Sequence, residues 1–267
     1  MSGVVEAASD GRIVTEKRGR VFIIKLDRPK KLNGFSAKMI RELAAAYTAF
    51  ENDSDAWVGL LCAEGPHFTA GLQLDQIGPF MARGESLWPD GAIDPFGLRD
   101  PKRSKPLAVA VQGITYTIGI ELMLAADIVV AAHNCRFAQL EVKRGIMATG
   151  GATIRMAERA GWGNAMRYLL TGDEFDAAAA LRFGFVQEVV AAGEEFDRAF
   201  AIAEKITAQG PLAVRATIAS ARKAVEQGQD AAVAEFGTVQ ARLANSADAK
   251  EGVASFLEKR DARFLGN

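Results

Sequence analysis

Two glutamates and two small-residue turns are the places in this chain where chemistry is readable. Glu121 lies in GITYTIGIEL (residues 113–122), with Ile118, Leu124 and Ala125 three and four positions away. A helix over this stretch turns the carboxylate inward, among apolar neighbours. A buried, unpaired carboxylate costs on the order of several kcal/mol or shifts its pKa strongly upward, so it needs a partner or a task. The residues alone also allow a plainer role, a carboxylate favoured by the helix N-terminus. Glu141 ends CRFAQLE, next to Leu140 and Val142, and its plainer role is an ion pair with Lys143 or Arg144. If the two acids met in one apolar pocket their pKa values would move apart, leaving one as acid and the other as base. The spacing of Glu121 and Glu141 along the chain does not establish that they meet.

The turns supply the complementary donors. HFTAGLQL (67–74) has small residues at Thr69-Ala70-Gly71 where a helix is expected to begin, so backbone N–H groups are exposed. Together with the N–H groups of TYTIG they would suit a developing oxyanion; an ordinary strand-to-helix turn is the alternative. Other chemistries lack their residues. His67 and His133 are the only histidines and neither has Cys, Asp or Glu at metal-ligand spacing. No phosphate-cradling glycine motif and no G-x-S-x-G elbow occurs.

The elements that must position these groups follow from periodicity. RVFIIKLDRP, AWVGLLCAEG, PLAVAVQG, ADIVVAAHN and FGFVQEVV are short apolar runs stopped by Gly, Pro, Asn or charge, which predicts strands, most of them buried on both faces. SAKMIRELAAAYTAFEND places Met39, Ile40, Leu43, Tyr47 and Phe50 at helical spacing after a capping Ser36. Alternating strands and helices predict an α/β fold. Beyond about residue 194 only helices are expected, dividing the chain into an α/β core over 1–195 and a helical region over 196–267. The Gly- and Pro-rich stretch 78–106 is long enough to be a binding loop or lid, or to be disordered.

Forty-nine per cent hydrophobic residues support a large core, and a net charge of −1 gives no global reason to expect nucleic acid or an anionic membrane as partner. No apolar run reaches the ~18–20 residues of a membrane span. MSGVVEAASDGR lacks the pattern of a secretory leader, and Cys62 and Cys135 sit among apolar residues as expected of buried thiols. The expectation is a cytoplasmic protein.

Five stretches in order resemble the enoyl-CoA hydratase/isomerase (crotonase) family: IKLDRPKKLNGFSAKMIREL, HFTAGLQL, VQGITYTIGIELMLAADIVVA, CRFAQLEVKRGIMATGGATIRM and EGVASFLEKRDARF. The resemblance implies a crotonase-like spiral of β-β-α turns with a C-terminal helical oligomerisation region, assembled as trimers, usually paired into hexamers. It implies an acyl-CoA thioester as substrate, with no separate cofactor because coenzyme A is part of that substrate, and no metal. By match to the family's motifs, Glu121 and Glu141 are the catalytic acids and the amides of Ala70 and Ile118 form the oxyanion hole. Substrate binding maps to Lys30, Lys31, Leu32, Gly71, Leu72 and Gln73, and to Phe256 and Lys259 from a neighbouring subunit. The implied reaction is addition of water to a 2-enoyl-CoA, a hydro-lyase step of fatty acid metabolism. Isomerisation, thioester hydrolysis, decarboxylation or simple acyl-CoA binding are the alternatives. The chain departs from the family pattern at Thr117-Ile118, where glycines are usual, and at Gln73, Leu140, Ala148 and Thr149.

Overall fold

The computed structural model describes residues 10–267; most of the segment inspected for a leader lies outside them. The five apolar runs become β2 (Val21–Asp27), β3 (Val58–Ala63), β4 (Leu107–Val111), β6 (Ile128–Ala132) and the short β9 (Glu188–Val190). They join one sheet in the order β1-β2-β3-β4-β6-β9, parallel throughout except for β1 (Arg12–Arg18), which pairs antiparallel with β2. β1 escapes the apolar-run criterion because RIVTEKR is an edge strand, largely exposed and mostly charged or polar. Strand alternation splits the core between two faces. Leu61, Leu107, Val109 and Val111 point into one cluster, and Leu60, Cys62, Ala108 and Ala110 into the other.

A second, smaller layer carries the site. β5 (Ile114–Tyr116) pairs parallel with β7 (Arg136–Ala138), which pairs antiparallel with β8 (Phe175–Asp176). Isolated parallel bridges Phe35–Leu72 and Thr69–Thr115 extend the same layer. The chain therefore repeats one pass: a long strand, a short second strand or bridge, then a helix. β2, Phe35 and α1 (Ala37–Asn52) make one pass; β3, Thr69 and α2 (Leu74–Ala82) the next; β4, β5 and α3 (Ile118–Ala125) the third. This is the expected spiral of β-β-α turns. Ser36 caps α1 as its sequence predicts, its Oγ accepting from the Met39 amide at 3.2 Å.

α4 (Ala152–Ala160), α5 (Trp162–Thr171) and α6 (Ala177–Arg182) follow β7, and α7 (Glu195–Thr207) lies across β3, β4 and β6. α8 (Pro211–Gln227), α9 (Gln229–Val233), α10 (Phe236–Ala244) and α11 (Ala247–Glu258) complete a helical C-terminal region. Part of the long Gly/Pro stretch is helical, since α2 continues through Gly78-Pro79 to Ala82. The rest, 83–106, is irregular but packed: Ile93, Asp94 and Phe96 are buried, and Trp88 meets Phe96 edge-on at 5.2 Å between ring centroids. Asp94 organises it by accepting from the amides of Phe96, Leu98 and Arg99. Among the described residues no helix is long and apolar enough to cross a membrane.

Candidate active site

The site forms where the third pass turns into α3. Thr69, Ala70 and Gly71 are fixed from below by Asn33. Its side-chain amide donates to the carbonyls of Glu64 and His67 (2.8 Å each), and its carbonyl accepts from the Thr69 hydroxyl at 2.7 Å. His67 in turn accepts the Ile114 amide on Nδ1 at 3.1 Å, so both turns are tied to one another. His133 likewise accepts the Ala192 amide, a structural use for each histidine.

Backbone donors differ in availability. The Ala70 amide is already committed, donating to the Leu32 carbonyl at 2.9 Å. That corrects the expectation that Ala70 offers its N–H to a ligand. Gly71 donates to Thr69 Oγ1 at 3.1 Å and Gln73 to the Phe35 carbonyl at 2.9 Å. The Leu72 amide, between them, makes no hydrogen bond within the described residues, and neither does that of Ile118. Ile118 is the first residue of α3, so its amide has no intrahelical acceptor.

Thr117, just before it, has φ 50° and ψ −114°. This backbone suits glycine, and a β-branched residue there carries strain of order ~1–3 kcal/mol. The Thr117 hydroxyl is buried without a partner. The isoleucine side chain finds its room in the main core, where Ile118 is 2 % exposed. The usual glycine conformation is thus kept while the glycines are not.

Glu121 is 5 % exposed and points at the start of α4. Its Oε1 accepts from the amides of Gly150 (2.6 Å) and Ala152 (3.4 Å). The approach is so close that a Cβ on residue 150 would lie 2.5 Å from Glu121 Oε2, so glycine is needed there for as long as the carboxylate keeps this seat. Burial, and next the charge of Glu141, raise the Glu121 carboxyl from its ordinary 4.5 to about 7; the Ala152 and Gly150 amides and Arg155 pull the other way. Glu141 opens a 3-10 turn, Glu141–Arg144, after β7. It makes no ion pair with Lys143, Arg144 or any other described residue, its Oε2 is buried without a hydrogen-bond partner, and burial raises its pKa too. The charge of Glu141 reaches Glu121, and Glu141 does not take the ion-pair role open to it in sequence, whereas Glu121 lies in the first turn of α3 and also accepts the amides at the start of α4.

Beside the turn, a cavity of about 310 Å³ is lined by Arg28, Lys31, Gly34, Ala70, Gly71, Leu72 and Gln73. Gln73, where an aspartate is common, accepts from Arg28 Nη1 at 2.7 Å. Lys30 and Leu32 are exposed next to this cavity in sequence but do not line it. Phe256 and Lys259 do not line it either; they lie at the end of α11, where Phe256 is 82 % exposed. The cradle amides of Gly150 and Ala152 and the nearby Arg155 were not singled out by reasoning from residue type. Their signal is the glycine pair Gly150-Gly151, whose need becomes evident only once Glu121 is in place. Among the described residues no cluster of His, Cys, Asp and Glu could hold a metal ion.

Residues 16–267 match the family model described as enoyl-CoA hydratase/isomerase. The chain is similar to the enoyl-CoA hydratase EchA19 of Mycobacterium tuberculosis, 31 % identical over 97 % of this chain and 98 % of that one. It is similar also to a carnitinyl-CoA dehydratase of Proteus mirabilis, 32 % identical over 93 % of this chain and 96 % of the relative. Among solved structures it resembles a probable enoyl-CoA hydratase/isomerase from Mycobacterium abscessus, with TM-score 0.92 and 47 % identity, covering 96 % of this chain and 98 % of the other. The fold, its two coupled carboxylates and these similarities converge: the chain belongs to the enoyl-CoA hydratase/isomerase family.

Proposed function

We propose that this protein is an enoyl-CoA hydratase, adding water across the 2,3 double bond of a 2-enoyl-CoA to give a 3-hydroxyacyl-CoA. The observation that carries this reading is the buried Glu121 with the half-buried Glu141, whose charge acts on it, neither of them in an ion pair among the described residues. Water addition needs a base at the water, a proton for C2 and donors for the enolate oxygen. Glu121, held by two amides and with a pKa of about 7, takes a proton from water as the water oxygen bonds to C3. The double-bond electrons move towards the thioester carbonyl, whose oxygen meets the unpartnered amides of Leu72 and Ile118. Collapse of the enolate takes a proton from Glu141 at C2. The charge of Glu141 acts on Glu121, and the division of roles follows the firmer seating of Glu121 on two amides. The same groups run the reaction backwards, the sense in which a dehydratase is named.

Coenzyme A is seated along the cavity beside Gly71, with Lys30 and Lys31 near its phosphates and Leu32, Gly71, Leu72 and Gln73 along its length. The exposed Phe256, with Lys259, completes the site of a neighbouring copy in a trimer or hexamer. The buried free thiols Cys62 and Cys135 support a reducing, cytoplasmic setting. The test is turnover of crotonyl-CoA and longer 2-enoyl-CoAs by the purified protein and by the Glu121→Gln and Glu141→Gln variants. Hydration lost in both variants is expected. Binding of acyl-CoA without turnover of any enoyl thioester refutes the reading.

A further inference from the structure

Glu121 faces an unexpected neighbour. Arg155 stands in the first turns of α4, and its guanidinium folds back over the start of its own helix. A Cβ on residue 151 would lie 2.5 Å from Arg155 Nη1 and 3.3 Å from Cζ, so the cation is stacked on the Gly151 backbone, where φ is +107°. Gly150 and Ala152, on either side, are the two residues whose amides hold Glu121. Arg155 Nη2 donates to the Phe96 carbonyl of the 83–106 segment at 2.7 Å, and Nη1 is buried with no acceptor.

This placement is unfavourable on two counts. A cation is disfavoured at a helix N-terminus, and burial disfavours its charge. Something must offset both. The charged groups facing it are Glu158 on its own helix, Asp94 from the 83–106 segment, Glu121 from α3 and, with the wrong sign, Arg222 from α8 and Arg159 one turn on along α4. Glu158 is solvent-exposed. Asp94 already accepts three amides and sits 3.6 Å from Arg99. Glu121 has the opposite need: it is a buried anion whose other charged neighbour, Glu141, repels it.

We propose that Arg155 is a positioning residue for Glu121, its guanidinium stacked behind the Gly150–Ala152 cradle and anchored to the Phe96 carbonyl so that the carboxylate stays ionised and ready to accept a proton from water. The assignment rests on the hydration reading and adds to it a residue that need not touch substrate. It also makes the 83–106 segment a partner in the chemistry, because the Phe96 carbonyl sets where the guanidinium lies.

The pH profile of kcat/KM for enoyl-CoA hydration is the readout. Arg155→Gln keeps an amide donor for the Phe96 carbonyl and removes the charge. Its acid limb is expected to move to higher pH by about half a unit, less than a directly paired charge supplies because Arg155 makes no ion pair with Glu121, with a roughly threefold loss on that limb and convergence toward wild type at high pH. Arg155→Lys retains the charge, and its limb is expected to stay within a fraction of that shift. A limb unmoved in Arg155→Gln overturns the proposal, as does one displaced equally in Arg155→Lys, which would mean packing and not charge. If thermal melts show Arg155→Gln to be unfolded, Arg155→Met takes its place as the variant without charge, a limb displaced to higher pH supporting the proposal and an unmoved one overturning it. Wild-type protein that hydrates no enoyl-CoA sinks the underlying reading. Hydration whose limb ignores residue 155 sinks only this assignment.

Discussion

Replacing Glu121 by Gln should stabilise the protein at alkaline pH while abolishing hydration. The carboxyl is raised from 4.5 to about 7 by burial and by Glu141. Between those values the folded chain holds a proton that the unfolded chain has released, so stability falls as pH rises, and the full penalty is present only above the folded pKa. A shift of about 2.5 units at about 1.4 kcal/mol each corresponds to roughly 3 kcal/mol. Integrating the two titrations places about 1.4 kcal/mol of it by pH ~5.5 and nearly all by pH ~8.5, so about 2 kcal/mol develops between them. Gln keeps the shape and an oxygen for the Gly150 amide but never ionises. Urea melts of both proteins at the two pH values measure it: the variant's advantage over wild type should grow by about 2 kcal/mol from the lower to the higher pH. A difference independent of pH would show that Glu121 is not a raised acid and would remove the basis for its role as a base near neutrality.

Two further outcomes follow from the same contacts. Gly150→Ala places a methyl group 2.5 Å from Glu121 Oε2 and must displace the carboxylate; hydration is expected to fall about 100-fold, with acyl-CoA affinity little changed by titration calorimetry. Thr117→Gly releases the φ 50° backbone and an unpartnered hydroxyl, so it should raise stability by about 1 kcal/mol in denaturant melts and leave measurable hydration, because the Ile118 amide remains. Loss of stability in Thr117→Gly would mean that the hydroxyl has a favourable role the packing does not reveal.

The long strands and α1 were legible because burial on both faces and helical spacing leave dense apolar patterns, as in PLAVAVQG and in Met39 to Phe50. The second layer was not: β5, β7 and β8 are three residues or fewer, and their pairing depends on bridges such as Thr69–Thr115 that join distant passes. Glu121 was visible as an acid in an apolar helix, and Glu141 as an acid beside Leu140 and Val142 that reads as readily as an ion-pair partner of Lys143 or Arg144. Which amide is free could not be read from residue type at all. Ala70 and Leu72 are alike in sequence as donors, and only the pairing of Phe35 with the turn, and of Ala70 with Leu32, commits one and spares the other.

The substitution at Thr117-Ile118 shows what a glycine motif encodes. A glycine run before a helix such as α3 can serve three separate needs: a positive φ, room for a close approach and a backbone N–H. Here the N–H belongs to Ile118, whose side chain turns away into the core and so interferes with nothing. The positive φ is met by Thr117 under strain. Close approach is still required at Gly119, where a Cβ would come within 2.7 Å of Thr69 Cγ2, and that glycine is present. Steric need therefore retains glycine where the neighbour is packed backbone or a stiff side chain, whereas conformational need alone can be met by another residue at the expense of stability. A chain can lose the visible motif and keep the amide, and for the enolate oxygen the amide is what matters.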